Sequence, residues 1–178
     1  ETSFAPALVN RIDRNTCGII IGAKNAETLR ILNEKLKKRE LHKLYLCVVI
    51  GKVKKESGII EGYLEKNEKQ NRVYVSDKSG DNTKHIATKY KVLSSKNGLS
   101  LVEIELLTGR THQIRAHMSS LGHPLLGDRL YTDKTCPFKL RGQCLHAMTL
   151  GFIHPRTGAY IEVNAPLPSY FLKLLSEL

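Results

Sequence analysis

The sequence predicts an α+β domain built on a largely antiparallel or mixed β-sheet with a few flanking helices. Many short segments rich in Ile, Val and Leu have the composition of strands, and most are close enough in sequence to be joined as hairpins. Only a few segments carry the apolar spacing of an amphipathic helix. Strands that mostly follow strands favour this class over an alternating βα chain with a parallel sheet.

The length and composition are those of one ordinary domain. The chain has 178 residues, of which 41% are hydrophobic and 25% charged, so it can bury a sizeable core. Its apolar runs extend over only a handful of residues, which excludes a membrane-spanning helix. We therefore expect a single domain over residues 1–178. Because the chain begins at Glu1 and not at a methionine, we also expect it to be part of a longer protein.

The first part of the chain contains one helix among several strands. Residues 18–23 form a short apolar run typical of a buried strand. Asn25 is a good N-cap for an amphipathic helix over about 25–39, whose last turn is rich in Lys and Arg. A second apolar run predicts a strand over 44–50. Two shorter strands are expected at 61–66 and 72–76, and a polar loop at 76–84.

The middle of the chain has the signature of a β-hairpin. Residues 86–94 and 99–107 are both strand-like and are joined at Asn97-Gly98. Asn-Gly is favoured in tight hairpin turns because both residues tolerate a positive φ. We therefore expect these two strands to pair antiparallel.

The last part of the chain combines helices with a further hairpin. Thr111 is a possible cap for a helix over about 112–121, which Gly122 would end at its C-terminus. On this helix Ile114, Met118 and Leu121 form the apolar stripe. The remaining elements are a loop over 128–142, a hairpin of strands 145–153 and 159–164, and a closing helix capped by Ser169.

The charge balance indicates an anionic partner. The chain has 28 Lys and Arg against 17 Asp and Glu, a net charge of +11, and nucleic acid is the commonest partner of such a domain. The four cysteines form no C-x-x-C pair and no disulfide or zinc pattern, so we expect reduced thiols in the cytoplasm and no metal site. Phosphate-binding loops, the dinucleotide fingerprint and the common hydrolase motifs are also absent, which leaves nucleotide-binding and hydrolase chemistry unsupported.

Three residues have patterns that could carry chemistry. Asp13 lies between Arg11 and Arg14, and neighbouring cations favour an ionised carboxylate that can act as a base or nucleophile. Arg115 lies at the edge of the apolar stripe of its helix, where a half-buried guanidinium needs a carboxylate partner. Tyr45 shares one face of its predicted strand with other apolar side chains. From the residues alone, a turn-capping aspartate, an exposed arginine and a core tyrosine remain open as alternatives.

Several motifs resemble those of the RluA-type pseudouridine synthases, enzymes that isomerise uridines in ribosomal or transfer RNA. Residues 10–18 (NRIDRNTCG) resemble their H-R-L-D-x-x-T-S-G motif, and residues 43–47 (KLYLC) their K-x-Y-x-A strand. Residues 108–131 (TGRTHQIRAHMSSLGHPLLGDRLY) are close to their long block from T-G-R-x-H-Q-[IL]-R to G-D-x-x-Y. Their late L-H-A and F-x-H-P elements match residues 145–147 and 152–155. The nearest branch is that of the RluC/RluD-like enzymes of the large ribosomal subunit.

The resemblance implies a role for each of these residues. Asp13 matches the catalytic aspartate, and Arg115 matches the basic residue that pairs with it. Tyr45 matches the tyrosine that packs against the target base, where it can also assist proton removal. Arg11 matches an arginine associated with base flipping, and we expect it to fill the space that the flipped base leaves. We expect RNA contacts from Arg11, Arg14, Lys43, Arg110 and His112, and phosphate contacts from the basic runs 35–43, 52–55 and 139–141.

The chain departs from the family pattern in the first motif. Asn10 replaces the usual His, Ile12 replaces Leu, and Cys17 replaces Ser. The first change is expected to alter hydrogen bonding in the loop, whereas the other two are nearly isosteric. The family's preceding N-K-P-x-G strand and small S4 RNA-binding domain have no counterpart in residues 1–178.

The resemblance therefore implies an isomerase that converts specific uridines to pseudouridine in RNA, with 23S ribosomal RNA as the expected substrate. The product is an isomer of the substrate, so no cofactor is expected. One alternative is a catalytically inactive RNA-binding or ribosome-assembly module of the same fold. Another is a carboxylate glycosidase, which normally needs two acidic catalytic residues, and no second carboxylate stands out in the sequence. A monomer is the default oligomeric state.

Overall fold

The computed structural model describes residues 4–178. Two short strands, β1 (Ala7–Leu8) and β3 (Gly22–Ala23), pair with each other beside the main sheet. The main sheet is built from β2 (Cys17–Gly18), β4 (His42–Ile50), β5 (Ser57–Asn67), β6 (Arg72–Ser76), β7 (Thr83–Lys96), β8 (Leu99–Leu106), β9 (Leu145–Ile153) and β10 (Tyr160–Asn164). The helices are α1 (Ala26–Lys37), α2 (Gln113–Ser120) and α3 (Ser169–Ser176).

The main sheet has the order β10-β9-β4-β8-β7-β5-β6, with β2 added beside β9. Every pairing in it is antiparallel except that between β2 and β9, so the sheet is mixed as predicted. The α+β class is confirmed. The longest helix within residues 4–178 has 12 residues, and none of the helices described there is long and apolar enough to cross a membrane.

The central strand β4 has a buried face on each side of the sheet. Tyr45, Cys47 and Val49 pack in a core with residues of α2, including Ile114 and Met118. Leu46 and Val48 point to the opposite core, where they meet Phe171 and Leu174 of α3. The period of two predicted from the sequence is confirmed, because a strand buried on both faces presents alternate residues to different cores. Helices α2 and α3 thus cover opposite faces of the sheet.

The predictions for the N-cap of the first helix, for the turn of the central hairpin and for the glycine that ends α2 are confirmed. Asn25 caps α1 because its side-chain Oδ1 accepts a hydrogen bond of 2.8 Å from the main-chain N–H of Thr28. Asn97 and Gly98 join β7 and β8 with positive φ angles of 52° and 73°. Gly122, with φ 80°, follows the end of α2 as expected.

Four local predictions are wrong. Residues 18–23 do not form one strand, because the chain leaves β9 after Gly18 and pairs with β1 only from Gly22 onward. Thr111 does not cap α2, since His112 precedes the helix in a left-handed conformation with φ 54° and no side-chain cap is formed. Leu121 is 41% exposed and lies outside the core, because α2 ends one residue earlier. Ser169 is already helical, and Pro168 occupies the position before it.

Gly18 is required where the short strand β2 meets β9. Its φ is +114°, and a Cβ there would overlap the main-chain carbonyl group of Ala147. We expect Gly18→Ala to lower the free energy of unfolding by roughly 3 kcal/mol or more, because strain and steric overlap add. Gly158 is the matched control, since its φ is +69° but its Cβ position is open, and Gly158→Ala should cost only about 1 kcal/mol. Equal losses in urea unfolding would contradict the close approach at Gly18.

A buried polar network joins α2 to β7. The ring Nδ1 of His117 lies 2.8 Å from Thr88 Oγ1, and Gln113 Nε2 donates to the same oxygen at 2.9 Å. Burial lowers the pKa of His117 to about 4. The unfolded state therefore binds the proton first as the pH falls, and the network stabilises the fold fully only above the ordinary histidine pKa.

This network predicts a specific acid sensitivity. We expect His117 to contribute about 3 kcal/mol of stability that is progressively lost as the pH falls from about 6.5 to 4. The variant His117→Asn should show a flatter dependence of unfolding free energy on pH over this window, even if it is less stable at pH 7. Parallel curves for the two proteins in urea titrations would show that His117 is not responsible.

Candidate active site

A cavity of about 730 Å³ opens beside the start of the central strand β4. Its walls come from the loop between β1 and β2, the C-terminal end of α1, the start of β4, and the loop that joins β8 to α2. Its volume lies in the range of roughly 300–1,000 Å³ that is usual for small-molecule sites. Six of the predicted site residues line it, namely Arg11, Asp13, Lys43, Tyr45, Arg110 and His112.

Asp13 is presented to the cavity by a loop that is tied down at several points. The main-chain carbonyl of Asp13 accepts a hydrogen bond of 3.0 Å from Thr16 N–H, which closes a turn. Gln143 holds the far side of this turn by donating to the Arg14 carbonyl at 2.7 Å and to Thr16 Oγ1 at 3.1 Å. The Asp13 side chain retains 17% of its exposure. Its carboxylate is therefore fixed in position yet accessible.

Asn10, which replaces the histidine of the family motif, anchors the start of the same loop. Its side-chain Oδ1 accepts a hydrogen bond of 2.8 Å from the main-chain N–H of Ile21. The main-chain N–H of Val9 donates to the Ile21 carbonyl at 2.9 Å. Asn10 thus takes part in the hydrogen bonding of the loop, and the prediction that it alters this bonding relative to His stays a prediction.

Arg115 meets Asp13 although the two are 102 positions apart in sequence. The guanidinium Nη1 donates to Asp13 Oδ2 at 3.4 Å, and the arginine side chain is only 8% exposed. The resemblance implied this pair, and the fold brings it together. Arg115 does not itself line the cavity, because it lies behind the carboxylate at the buried end of the contact.

Sequence reasoning missed the principal partner of Arg115. Asp128 accepts hydrogen bonds of 2.7 Å from Arg115 Nε and 2.8 Å from Nη2, and its side chain is 1% exposed. The signal was present, because Asp128 lies in the G-D-x-x-Y part of the long motif and a half-buried arginine needs a carboxylate. Two acidic side chains, Asp13 and Asp128, therefore share one guanidinium. Asp128, however, is buried and fully engaged.

The charges around Arg115 keep it protonated. Burial lowers its pKa, but the hydrogen bonds and negative charge of Asp128, together with Asp13, raise the pKa by more, so that it lies above the usual arginine value. The Cζ atom of Arg115 lies 5.2 Å from the ring centre of Tyr131. Arg72 of β6 contacts the same ring at 4.9 Å. Two cations thus stack on one aromatic ring at the back of the site.

Tyr45 lies in the cavity wall and is neutral at physiological pH. Burial, followed by the negative charge of Asp13, raises the pKa of Tyr45 to about 12. Only 7% of the residue is exposed. It therefore offers a largely buried ring with a protonated hydroxyl group in the wall of the cavity that Asp13 also lines.

Lys43 and His112 are half-buried cavity residues whose pKa values are lowered. Burial lowers the pKa of Lys43. The pKa of His112 is also lowered, first by burial and then by the charge of Arg115. The His112 Nδ1 atom lies 3.3 Å from the Tyr131 hydroxyl group, which connects the cavity wall to the ring that supports Arg115.

The remaining predicted RNA contacts divide into two groups. Lys37 and Arg39, from the basic run at the end of α1, line the cavity, whereas Lys35 is paired with Glu40 at 3.0 Å. Arg14 is exposed on the Asp13 loop but does not line the cavity. Within the described part of the chain, the runs 52–55 and 139–141 also contribute nothing to its walls.

Comparisons with known proteins identify the family of the chain. The family model described as RNA pseudouridylate synthase matches residues 1–120. The "Uncharacterized RNA pseudouridine synthase YlyB" of Bacillus subtilis is 39% identical over 174 residues, covering 97% of this chain and 56% of that protein. The "Ribosomal large subunit pseudouridine synthase C" of Vibrio cholerae is 34% identical over 176 residues, covering 96% of this chain and 55% of that protein. The chain thus spans about half the length of these curated relatives.

Solved structures of human proteins have the same fold. "Human RNA Pseudouridylate Synthase Domain Containing 1" superposes with a TM-score of 0.79 at 28% identity, covering 92% of this chain and 70% of that one. "Human RNA Pseudouridylate Synthase Domain Containing 4" also has a TM-score of 0.79, at 23% identity, and covers 99% of this chain and 77% of that one. With the motifs, the fold and the family match in agreement, the chain belongs to the RNA pseudouridylate synthase family.

Proposed function

We propose that this domain isomerises uridine to pseudouridine in RNA, with 23S ribosomal RNA as the substrate. The observation that carries the proposal is the Asp13 carboxylate, which Arg115 holds at 3.4 Å on the wall of a cavity large enough for a nucleoside. Family membership supports the reaction class. The name of the Vibrio cholerae relative, a large-subunit synthase, favours ribosomal RNA.

The reaction replaces a bond from C1′ to N1 by a bond from C1′ to C5. The glycosidic bond to N1 breaks, the uracil turns, and C5 bonds to C1′. The hydrogen on C5 is then lost to solvent and N1 takes up a proton, so that the atoms balance without a cofactor. Asp13 can take part covalently at C1′ or at C6, or it can remove a proton as a glycal-like intermediate forms. All three routes need an ionised, accessible carboxylate.

Arg115 and Tyr45 prepare the site for this chemistry. The guanidinium of Arg115 orients the carboxylate of Asp13, because its Nη1 atom donates to Asp13 Oδ2. Tyr45, with its pKa raised to about 12, enters the reaction as a neutral phenol. We therefore assign it the role of packing against the flipped base, with its hydroxyl group available as a hydrogen-bond donor.

The RNA approaches the open side of the cavity. The target base must leave its stack, which costs a few kcal/mol. Arg11 lines the cavity on the Asp13 loop, which supports the proposal that its side chain fills the vacated position. Lys37, Arg39, Lys43 and Arg110 surround the opening with positive charge. These four residues are proposed to contact the phosphates next to the target.

The phosphate contacts predict a change in the salt dependence of RNA binding. We expect Arg110→Ala to weaken binding on the order of fivefold and to reduce the slope of log K against log salt concentration by about one. Arg30→Ala is the matched control, because Arg30 lies on α1 outside the cavity, where it is exposed and 3.5 Å from Glu34. Identical slopes for the two variants in fluorescence anisotropy would place the RNA elsewhere.

Release of tritium tests the reaction directly. The purified protein is incubated with ribosomal RNA that carries tritium at C5 of uridine, and we expect tritium to pass into water as pseudouridine forms. Release of free uracil would instead identify a glycosidase, and RNA binding without release would identify an inactive RNA-binding module. Mapping of pseudouridines by carbodiimide treatment and primer extension, with and without the gene, then identifies the substrate positions.

Location and assembly follow from the same proposal. Modification of ribosomal RNA takes place where ribosomes are assembled, so we propose that the protein acts in the cytoplasm. All four cysteines, which lie within the described residues, are free thiols, as a reducing compartment favours.

We propose that the protein acts as a monomer, and light scattering of the purified protein tests this.

A further inference from the structure

The carboxylate of Asp128 binds two of the three nitrogen atoms of the Arg115 guanidinium. It accepts hydrogen bonds from Nε at 2.7 Å and from Nη2 at 2.8 Å, and this forked arrangement fixes the plane of the guanidinium. Only Nη1 is directed at Asp13, at the longer distance of 3.4 Å. Asp128 is therefore the closer counter-ion of Arg115, and Asp13 holds the remaining contact.

Asp128 is itself held rigidly by the chain around it. Its Oδ1 accepts a second hydrogen bond of 3.2 Å from the main-chain N–H of Leu130. Its main-chain carbonyl accepts from the N–H groups of Tyr131 and Thr132 at 3.2 and 3.1 Å. The ring of Tyr131, fixed by this turn, stacks on Arg115. One tight turn thus supplies both the carboxylate and the aromatic ring that confine the guanidinium.

We infer that Asp128 is a positioning residue for the proposed isomerisation and acts on Asp13 through Arg115. One guanidinium shared by two carboxylates leaves a net charge of minus one, so the Asp13 carboxylate is oriented without being fully neutralised. A guanidinium with all its donors free would pair with Asp13 in a forked arrangement and occupy both of its oxygens. By holding Nε and Nη2, Asp128 leaves one oxygen of Asp13 unengaged by Arg115. This inference rests on the proposed function for its catalytic consequence only.

Two substitutions of Asp128 separate its charge from its geometry. Asp128→Asn keeps the shape and removes the charge, and Asp128→Glu keeps the charge but moves it by one methylene group. We expect each variant to lower kcat for tritium release about 10- to 100-fold per folded molecule, while the KM for RNA changes less than threefold. The matched control is Asp133→Asn, an exposed aspartate of the following loop, which should leave both constants unchanged. Normal kcat in both Asp128 variants, after correction for the folded fraction, would overturn the inference.

A double-mutant cycle tests whether Asp128 acts through Arg115. Arg115→Lys keeps a positive charge but cannot bind two carboxylates in a forked arrangement. If Asp128 acts only through that arrangement, Asp128→Asn lowers kcat in the wild type but has less than a threefold effect in the Arg115→Lys background. Independent, multiplying losses would show that Asp128 stabilises the domain without positioning Arg115.

NMR spectroscopy tests the positioning of Arg115 by Asp128 without depending on catalytic activity. In nitrogen-edited NMR spectra we expect the Arg115 Nε–H signal of the wild type to exchange slowly with water, and to broaden or exchange rapidly in Asp128→Asn. This result would support the positioning of Arg115 even if the protein released no tritium, in which case only the proposed function would fail. A signal that is unchanged by Asp128→Asn would refute the positioning role whatever the activity.

Discussion

Asp13→Asn is expected to lower tritium release from labelled RNA by more than about 10³-fold, while RNA affinity changes less than threefold. The amide has the shape of the carboxylate and can still accept a hydrogen bond from Arg115 Nη1, so the loop should keep its conformation. It has no negative charge, and it is a far weaker nucleophile and base. Each of the routes considered for the glycosidic bond needs that charge. The measurement is single-turnover tritium release with saturating enzyme, beside an anisotropy titration of the same RNA.

The control for this prediction is again the exposed Asp133. The same substitution there changes the net charge of the protein identically but lies outside the cavity, so tritium release should stay within twofold of the wild type. Retention of more than a tenth of the activity by Asp13→Asn would remove Asp13 from the reaction. A parallel loss of RNA binding would show that the loop has changed conformation.

Arg115→Met is expected to lower the free energy of unfolding by about 3–5 kcal/mol. Methionine fills much of the same space, but Asp128 is left 1% exposed with no cation to neutralise it. A buried carboxylate without its partner is strongly destabilising, whereas removal of both charges together is much less so. The double variant Arg115→Met/Asp128→Asn should therefore recover at least half of the lost stability.

Urea unfolding at neutral pH measures both effects. Arg30→Met is the matched control, because the Arg30 side chain is 67% exposed and its ion pair with Glu34 lies on the surface, where such pairs contribute about 1 kcal/mol or less. A loss below 1 kcal/mol for Arg115→Met, or no recovery in the double variant, would contradict the stabilising role of the buried Arg115–Asp128 ion pair.

Much of the fold could be predicted because its signals are local. The apolar run around Tyr45 and the Asn97-Gly98 turn specify a strand and a hairpin through preferences that act within a few residues. The end of α2 at Gly122 follows in the same way. The errors occur where distant segments decide the outcome. The run 18–23 looks like one strand, but its first residue pairs with β9 and its last two residues pair with β1.

The predicted cap of α2 at Thr111 failed for the same reason. A side-chain cap at Thr111 would satisfy the first turn of α2 locally. Instead, Gln113 turns its side chain back, so that its Oε1 accepts from Arg110 N–H at 3.1 Å and from Thr108 Oγ1 at 2.8 Å. These contacts depend on Thr108 being held by Ala87 of β7, whose N–H donates to Thr108 Oγ1 at 2.9 Å. Such a partner cannot be identified from the sequence around the helix.

The sequence by itself determined the class of fold, the positive charge, and the motifs that single out Asp13, Tyr45 and Arg115, because each depends on residue types at short spacing. Only the tertiary structure decided which carboxylate Arg115 binds most closely, and which basic residues reach the cavity. Those properties depend on distances between segments up to 102 positions apart. The packing of the sheet and its helices sets these distances, and with them the burial that raises the pKa of Tyr45 and keeps the Arg115 guanidinium between two acids.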